Sequence, residues 1–588
     1  MLRPIFKKGD PQLPSNYRPI ALASTILKIF TTILSNRLQT WAEKYGHFSP
    51  FQAGFRKNME TLEQIFCLLT LIQSKLRHPR GKLFAIFIDA RMAFDSCLHD
   101  RMWKVLSERG VSSKYLKVLT SLYRKASGQI LTPNGLTTSF RFQKGVLQGE
   151  PQSSCLFNFF IDGLARRLKK SGISPVKIGS TDFHILMFAD DVVIVANSAD
   201  SLQGKINVAA TFFKDRGLQC SISKTKIVIF AKRRSSDLPP FKWNDDTVDI
   251  VDSYTYLGVT MHRNGTFNRA HKEFKEKATA AVMKVLNITR RSGVPPLSTQ
   301  FKLFNSIARA TLLYGSSIWA MKFVDDIDKL QIRFLKKLLR LLPSTPDYFV
   351  RLETGARDTR LQHLADTLGF WERISRKKED SPVRQCMIIQ MKWTRLNSTP
   401  MQRNHCWGQD FLDLLKIAKC ENLPSTLTSL VTMRKTLLIN YELHIKNQDV
   451  SRMQNSSFIP HYKFIKLKST TEGYFNMNHS IQKCSLMTQL RLNKFSIKIG
   501  ESYIPLNSNC PLCSDTCSVE HLMFSCTSLR SERQSLIFPL IPNFNPTEFT
   551  NMQLYIALFS SAYSDRVLNN LFLFWHKVAK YFDLCSDQ

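Results

Sequence analysis

The segment from Phe183 to Ala196 reads FHILMFADDVVIVA: an apolar run, two adjacent aspartates and a second apolar run. Few structures satisfy that pattern. Two β-branched apolar runs joined by a short acidic connection form a buried antiparallel hairpin, with Asp190 and Asp191 at or near its tip. Aspartate favours turns for local reasons, but apolar flanks on both sides leave an acidic tip that needs compensation. A second carboxylate stands in the same context 101 positions upstream, where LFAIFIDARMAFDS puts Asp89 at the end of an apolar strand. Three carboxylates gathered on neighbouring strands repel one another unless divalent cations lie between them. Hard oxygen donors select Mg2+ or Mn2+, and a pair of such ions suits nucleotidyl transfer.

Composition narrows the substrate. The chain has 588 residues with 82 Lys and Arg against 46 Asp and Glu, a formal net charge of +36. Such an excess is usually retained because a polyanion neutralises it. With 43% hydrophobic and 11% aromatic residues there is material for a packed core, which excludes a disordered basic tail. No stretch offers about 18 uninterrupted apolar residues, and the opening MLRPIFKKGD lacks a signal-peptide pattern, so neither secretion nor membrane spanning is expected.

Up to about Ser253 helical stretches such as Thr25 to Lys44 alternate with strand-like runs such as FAIFI and KIVIF. From about Phe267 the period is helical. Between Asp325 and Leu342 the residues Ile327, Leu330, Phe334, Leu338 and Leu341 define one helix face, while Arg333, Lys336, Lys337 and Arg340 gather on another. That basic face is either a solvated surface or a track for a phosphate backbone.

The 13 cysteines are mostly scattered singly, but four crowd between Cys510 and Cys526, which points to a reducing compartment and a metal site. In SNCPLCSDTCSVEHLMFSC, Cys510 and Cys513 form C-x2-C, His521 follows after seven residues and Cys526 after four more. Three thiolates and an imidazole satisfy tetrahedral Zn2+, with Cys517 as a competing ligand. The bland alternative is a set of buried thiols beside a structural histidine.

Seven blocks in order then define a resemblance. FKKGDPQLPSNYRPIALAS, FQAGFRKN, FIDARMAFDS, GVLQGEPQSSCLFNFF, FADD, GLQCSISKTK and YTYLGV together resemble the fingers signatures and the A to E motifs of reverse transcriptases of non-LTR (LINE-type) retrotransposons. The likeness is close from Leu2 to Val259 and looser through LLYGSSIW at Leu312 to Trp319, which resembles the thumb region. The spacing of the cysteine cluster is similar to the zinc-knuckle-like element near the C-terminus of many such proteins.

The resemblance implies an α+β right-hand polymerase: fingers and palm with an antiparallel sheet over 1–252, a helical thumb over 253–345, a helical connector over 346–495, and a zinc-knuckle-like region over 496–588. It implies Asp89, Asp190 and Asp191 as the metal triad, Asp191 being the least certain direct ligand, and Lys224 as the residue that protonates pyrophosphate, with Lys226 two positions on as its alternative. Phe94 falls at the steric-gate position, where a ring excludes a ribose 2′-hydroxyl; core packing is its alternative. Gly145, Gln148 and Gly149 would let backbone approach the incoming nucleotide and template. Lys7, Lys8, Arg18 and Arg56 are triphosphate candidates. Glu150, Gln152 and Ser154 depart from the family pattern, and Glu150 would add a carboxylate beside the nucleotide site.

The expected function is RNA-directed DNA synthesis with Mg2+ (or Mn2+), a structural Zn2+ at the C-terminus, an RNA template, a DNA primer or nicked target DNA, and dNTPs. Because Met1 lies almost inside the first fingers block, an endonuclease acting in trans is expected. The expected compartment is the nucleus, with a cytoplasmic RNA-bound phase. The alternative is a catalytically decayed or domesticated nucleic-acid-binding relic; a group II intron maturase fits the YGSSIW block and zinc spacing less well.

Overall fold

The computed structural model describes residues 1–234, 238–292, 296–396, 399–418, 427–466, 470–475, 479–492, 496–541, 548–560 and 564–586. The chain divides into two compact units, Met1–Ala270 with Arg373–Leu412, and His271–Glu372 with Asp413–Gln588.

The first unit is organised by a four-stranded antiparallel sheet in the order Ile185–Phe188, Asp191–Ala196, Leu83–Ile88, Lys226–Phe230. Every residue of Leu83–Ile88 is buried, so this central strand is covered on both faces. Phe84, Ile86 and Ile88 join a core with Phe157 and Phe160 of helix Ser153–Lys170 and Ile206 and Phe213 of helix Ala199–Arg216. Phe87 points the other way and stacks on Tyr254, 4.3 Å between ring centres. Tyr254 belongs to the hairpin Ser253–Tyr256 and Val259–His262, which is the YTYLGV block.

Helix Thr61–Leu76 has no polar face to speak of: Ile65, Phe66, Leu68, Leu69, Leu71 and Ile72 are all buried, and so are Gln64 and Gln73. A helix apolar all round needs cover on both sides. The sheet supplies one side and helix Pro382–Thr394 the other. Gln390 of that helix donates to Gln73 Oε1 at 2.6 Å and to Thr70 Oγ1 at 3.2 Å, and Lys377 pairs with buried Glu63 at 2.8 Å. Residues 373–412 therefore pack into the first unit, although the sequence places them in a connector.

In the second unit the only paired strands among the described residues are the hairpin Ser496–Ile499 and Ser502–Pro505, just ahead of the cysteine cluster; the other named elements are helices. Its interior holds two charged centres. Glu353 and Arg491, both with fully buried side chains, are 2.6 Å apart, and the Tyr462 and Tyr474 hydroxyls donate to Glu353. Arg351 grips Asp449 through two 2.7 Å bonds and Asp328 through one of 2.8 Å. Buried charges persist only when paired this fully.

The expected basic helix is Val324–Leu338, shorter than the periodicity suggested because Arg340 takes φ +55°. Its charge is partly spent inside the unit. Lys336 pairs with Asp347 at 2.7 Å and Arg340 donates to the Gly500 carbonyl at 3.0 Å, whereas Arg333 stays exposed. No described helix is long and apolar enough to cross a membrane.

Candidate active site and cysteine cluster

The paired aspartates sit where the pattern puts them. Phe188 pairs with Asp191, so Ala189 and Asp190 form a two-residue turn at the end of the sheet. Asp89 follows the neighbouring strand Leu83–Ile88, and the pairing of Val192 with Ile88 brings it beside that turn. Its position is held from the opposite side. The Asp89 N–H donates to Thr225 Oγ1 at 3.1 Å, and its carbonyl accepts from Ser221 N–H at 2.8 Å.

The electrostatics follow from the geometry. Burial raises the Asp190 carboxyl above the usual carboxylate range, with the Asp89 charge adding to the rise and Arg18 opposing it. Asp191, although its residue keeps solvent access, is pushed up to about 6 by crowding, then by Asp190 and by Asp89. Three mutually repelling oxygen donors fit hard divalent cations. Lys224 is mostly exposed, with Nζ 3.5 Å from Asp89 Oδ2; Lys226, its neighbour in sequence, is instead committed to Asp249 at 2.6 Å.

Phe94 stacks on buried Phe157 with ring centres 4.4 Å apart and meets Phe55 edge-on at 6.1 Å. Its ring is thus braced by the core while only partly buried. The Gln148 side-chain amide reaches both oxygens of Asp95 at 3.1 Å, and its carbonyl accepts from Ala21 N–H at 2.7 Å. Burial raises the Asp95 carboxyl, opposed by Gln148, Lys7 and Arg18. Sequence reading passed over Asp95, although it adjoins Phe94 in the A motif. Gly149 takes φ +96°, and a Cβ there would lie 3.2 Å from the Ala21 carbonyl, so this glycine serves an approach within the chain.

Two expectations change. Arg56 does not face the aspartates: it donates from Nε and Nη2 to Glu43 at 2.7 Å each, and from Nη1 to the Ser49 and Gln52 carbonyls. Its side chain is 8% exposed, leaving no fork for a triphosphate. Glu150 likewise turns toward helix Ser153–Lys170, where Oε2 accepts from Gln152 N–H at 3.0 Å and Ser153 Oγ at 3.2 Å. It satisfies donors at a helix start, a role carboxylates perform well.

In the second unit the ligand atoms of Cys510, Cys513, His521 and Cys526 all lie within 4.8 Å of one another. Cys513 Sγ is 3.1 Å from His521 Nε2 and 3.7 Å from Cys526 Sγ. Thiolates each roughly 2.3 Å from a tetrahedral zinc stand about that far apart. Cys517 lies close by and is fully buried but falls outside this set. The knuckle is closed by backbone bonds, Cys510 N–H to the Asp515 carbonyl at 2.6 Å and Ser514 N–H to the Cys510 carbonyl at 2.8 Å.

Comparison with known proteins agrees with this layout. Residues 5–261 match the family described as reverse transcriptase (RNA-dependent DNA polymerase), a match that ends in the Val259–His262 strand. The chain is 28% identical over 369 residues to a retrovirus-related Pol polyprotein from the type-1 retrotransposable element R2 of Popillia japonica, covering 59% of this chain and 49% of that protein. It is 24% identical over 375 residues to the RNA-directed DNA polymerase from mobile element jockey of Drosophila melanogaster, covering 62% of this chain and 39% of that one. The chain thus spans half or less of these curated relatives. Among solved structures, telomerase from Candida tropicalis with a fragment of telomeric RNA aligns at 12% identity and TM-score 0.34, covering 72% of this chain and 62% of that one. With its paired aspartates closing an antiparallel sheet, the chain matches the reverse transcriptase family over residues 5–261 and is similar to the polymerases of non-LTR retrotransposons such as R2 and jockey.

Proposed function

We propose that this chain is an RNA-directed DNA polymerase that adds deoxynucleotides to a primer 3′-hydroxyl on an RNA template, with nicked target DNA as the natural primer. The observation that carries this is the convergence of Asp89, Asp190 and Asp191 at one sheet end, with the Asp190 carboxyl raised by burial and by Asp89, and that of Asp191 by burial, Asp190 and Asp89. Asp89 and Asp190, with Asp191 beside them, would hold Mg2+ or Mn2+; when bound, such ions supply Lewis acidity at the 3′-hydroxyl and neutralise the departing pyrophosphate. Lys224, beside Asp89 and open to solvent, is placed to give a proton to that leaving group. Phe94, backed by Phe157, excludes a 2′-hydroxyl, and Gln148 orients the nucleotide from its anchor on Asp95. Arg18, exposed on strand Tyr17–Ala21 and close enough to act on both Asp190 and Asp95, is the fingers cation we retain for the triphosphate.

Fingers and palm are assigned to the first unit. Thumb function falls to helices that follow, and Cys510, Cys513, His521 and Cys526 to a structural Zn2+ that shapes a nucleic-acid-binding knuckle. Target priming would require a nick in the target DNA and a nuclear site of action. Glu150 bears on the competing relic reading. Its carboxylate is bonded at a helix start, which weakens the Glu150 departure, though not those at Gln152 and Ser154, as support for catalytic decay. The test is extension of a DNA primer on RNA: synthesis should require Mg2+ and be lost in Asp190→Asn. RNA binding with steep salt dependence and no incorporation by the unaltered chain would favour the relic.

A further inference from the structure

Part of the Gln52–Arg56 block lies at the turn that carries Asp190. Phe51 and Ala53 bond to the two sides of Met187, Met187 N–H to the Phe51 carbonyl and Ala53 N–H to the Met187 carbonyl, each at 2.9 Å. The segment is thereby a short parallel partner of strand Ile185–Phe188. Beyond Met187 the side chain of Gln52 takes over. Its Oε1 accepts from Ala189 N–H at 2.9 Å and from Gly54 N–H at 2.9 Å, and its Nε2 donates to the Ala189 carbonyl at 3.3 Å. Gln52 is fully buried.

What it grips is a strained residue. Ala189 takes φ +58°, and the first central position of a two-residue hairpin turn with positive φ is normally glycine's. An alanine stays there only if its surroundings hold it. Gly54 adds to the hold by its missing side chain: a Cβ would lie 2.1 Å from Ala189 N. Asn158 fixes the Gly54 carbonyl at 2.7 Å, and Arg56 fixes the Gln52 carbonyl at 2.7 Å while locked to Glu43.

We propose that Gln52 is a positioning residue for the catalytic turn: with Gly54 beside it and Arg56 behind it, its amide holds Ala189 in the positive-φ conformation and so sets where Asp190 and Asp191 point. The proposal rests on the polymerase reading above for its consequence in activity. Its structural part is independent of that reading. Adjacent carboxylates push the turn apart, and a turn free to relax carries its oxygens away from a common cation site.

The test uses the full chain with Gln52→Met, which keeps length and removes both hydrogen-bonding functions. Hydrogen exchange over residues 186–191, read without substrate, should quicken by about tenfold or more. In primer extension kcat should fall by about tenfold or more and the half-saturating Mg2+ should rise, with KM for dNTP and primer–template affinity held within about twofold. Should that variant misfold, Arg56→Lys loosens the brace from its outer end; it should lower kcat by about threefold with KM for dNTP unchanged. Unchanged exchange and kcat in a folded Gln52→Met protein would overturn the proposal, as would Arg56→Lys raising KM for dNTP without altering exchange. An unaltered chain that incorporates nothing would sink the polymerase reading, whereas faster exchange in Gln52→Met would still support the brace.

Discussion

The two clusters that suit cations are assembled in opposite ways. Asp89 meets Asp190 and Asp191 only because strands 101 positions apart in sequence pair in a buried sheet, so their approach is enforced by the core. Cys510, Cys513, His521 and Cys526 come from one short stretch and are drawn together by a tight turn and a few backbone bonds. Held by its core, the sheet should keep its fold without a cation. On the proposed zinc site, the knuckle, formed by one short stretch, should instead depend on its ligand for stability. Protonation differs in parallel. Burial raises the Asp190 carboxyl and Asp191 is pushed up to about 6, whereas burial and neighbouring thiols push Cys526 up to about 12 and raise Cys510 as well.

This contrast makes testable statements of decreasing size. Asp190→Asn should cost roughly three orders of magnitude in synthesis, about 4 kcal/mol of barrier, and leave the zinc content unchanged. Next is Cys513→Ser, or chelation of zinc. Proteolytic cleavage between 505 and 530 should rise steeply while the half-saturating Mg2+ stays within about twofold; a shift in Mg2+ demand would join the two sites that the comparison separates. Lys224→Met should lower kcat by about 10²-fold, KM being little altered.

The smallest effects are protonic. Calorimetry at pH 7.5 in buffers of different ionisation enthalpy should show zinc releasing protons from at least Cys510 and Cys526, and Mg2+ releasing almost none. At the carboxylates the sign is set by the raised value. In metal-free protein the stability contributed by protonated Asp191 is present below the ordinary value of 3.8 and is lost as pH rises through about 6; Mg2+ should restore it. Below pH 6 protons compete with the cation, so half-saturating Mg2+ should be higher at pH 5.5 than at pH 7.5, and Asp191→Asn should flatten that difference.

Much of the site was legible residue by residue. FADD between apolar runs specified a hairpin and its tip, LFAIFID specified a strand ending in Asp89, and the cysteine spacing specified four donors, with Cys517 as their one competitor. What stayed hidden were side chains whose partners are remote. Arg56 reads as a free cation in a basic chain until Glu43 and the Ser49 and Gln52 carbonyls are seen to surround it. Glu150 reads as an intruding charge until it is found bonded at the start of Ser153–Lys170. The apolar helix Thr61–Leu76 reveals that it needs two covers but not that Pro382–Thr394 is one of them. The Arg351 and Glu353 networks likewise join residues about a hundred positions apart.

The sequence by itself determined the elements, the carboxylates, the thiols and the family they resemble, because periodicity, turn chemistry and short ordered motifs are local properties. Tertiary structure alone decided which cations are spent on the fold, which glycines serve close approach within the chain, and that Gln52 holds the turn under Asp190. The physical reason is that a side chain's role depends on what satisfies its hydrogen bonds and charge. Those partners are chosen by packing between segments that the order of residues does not bring together.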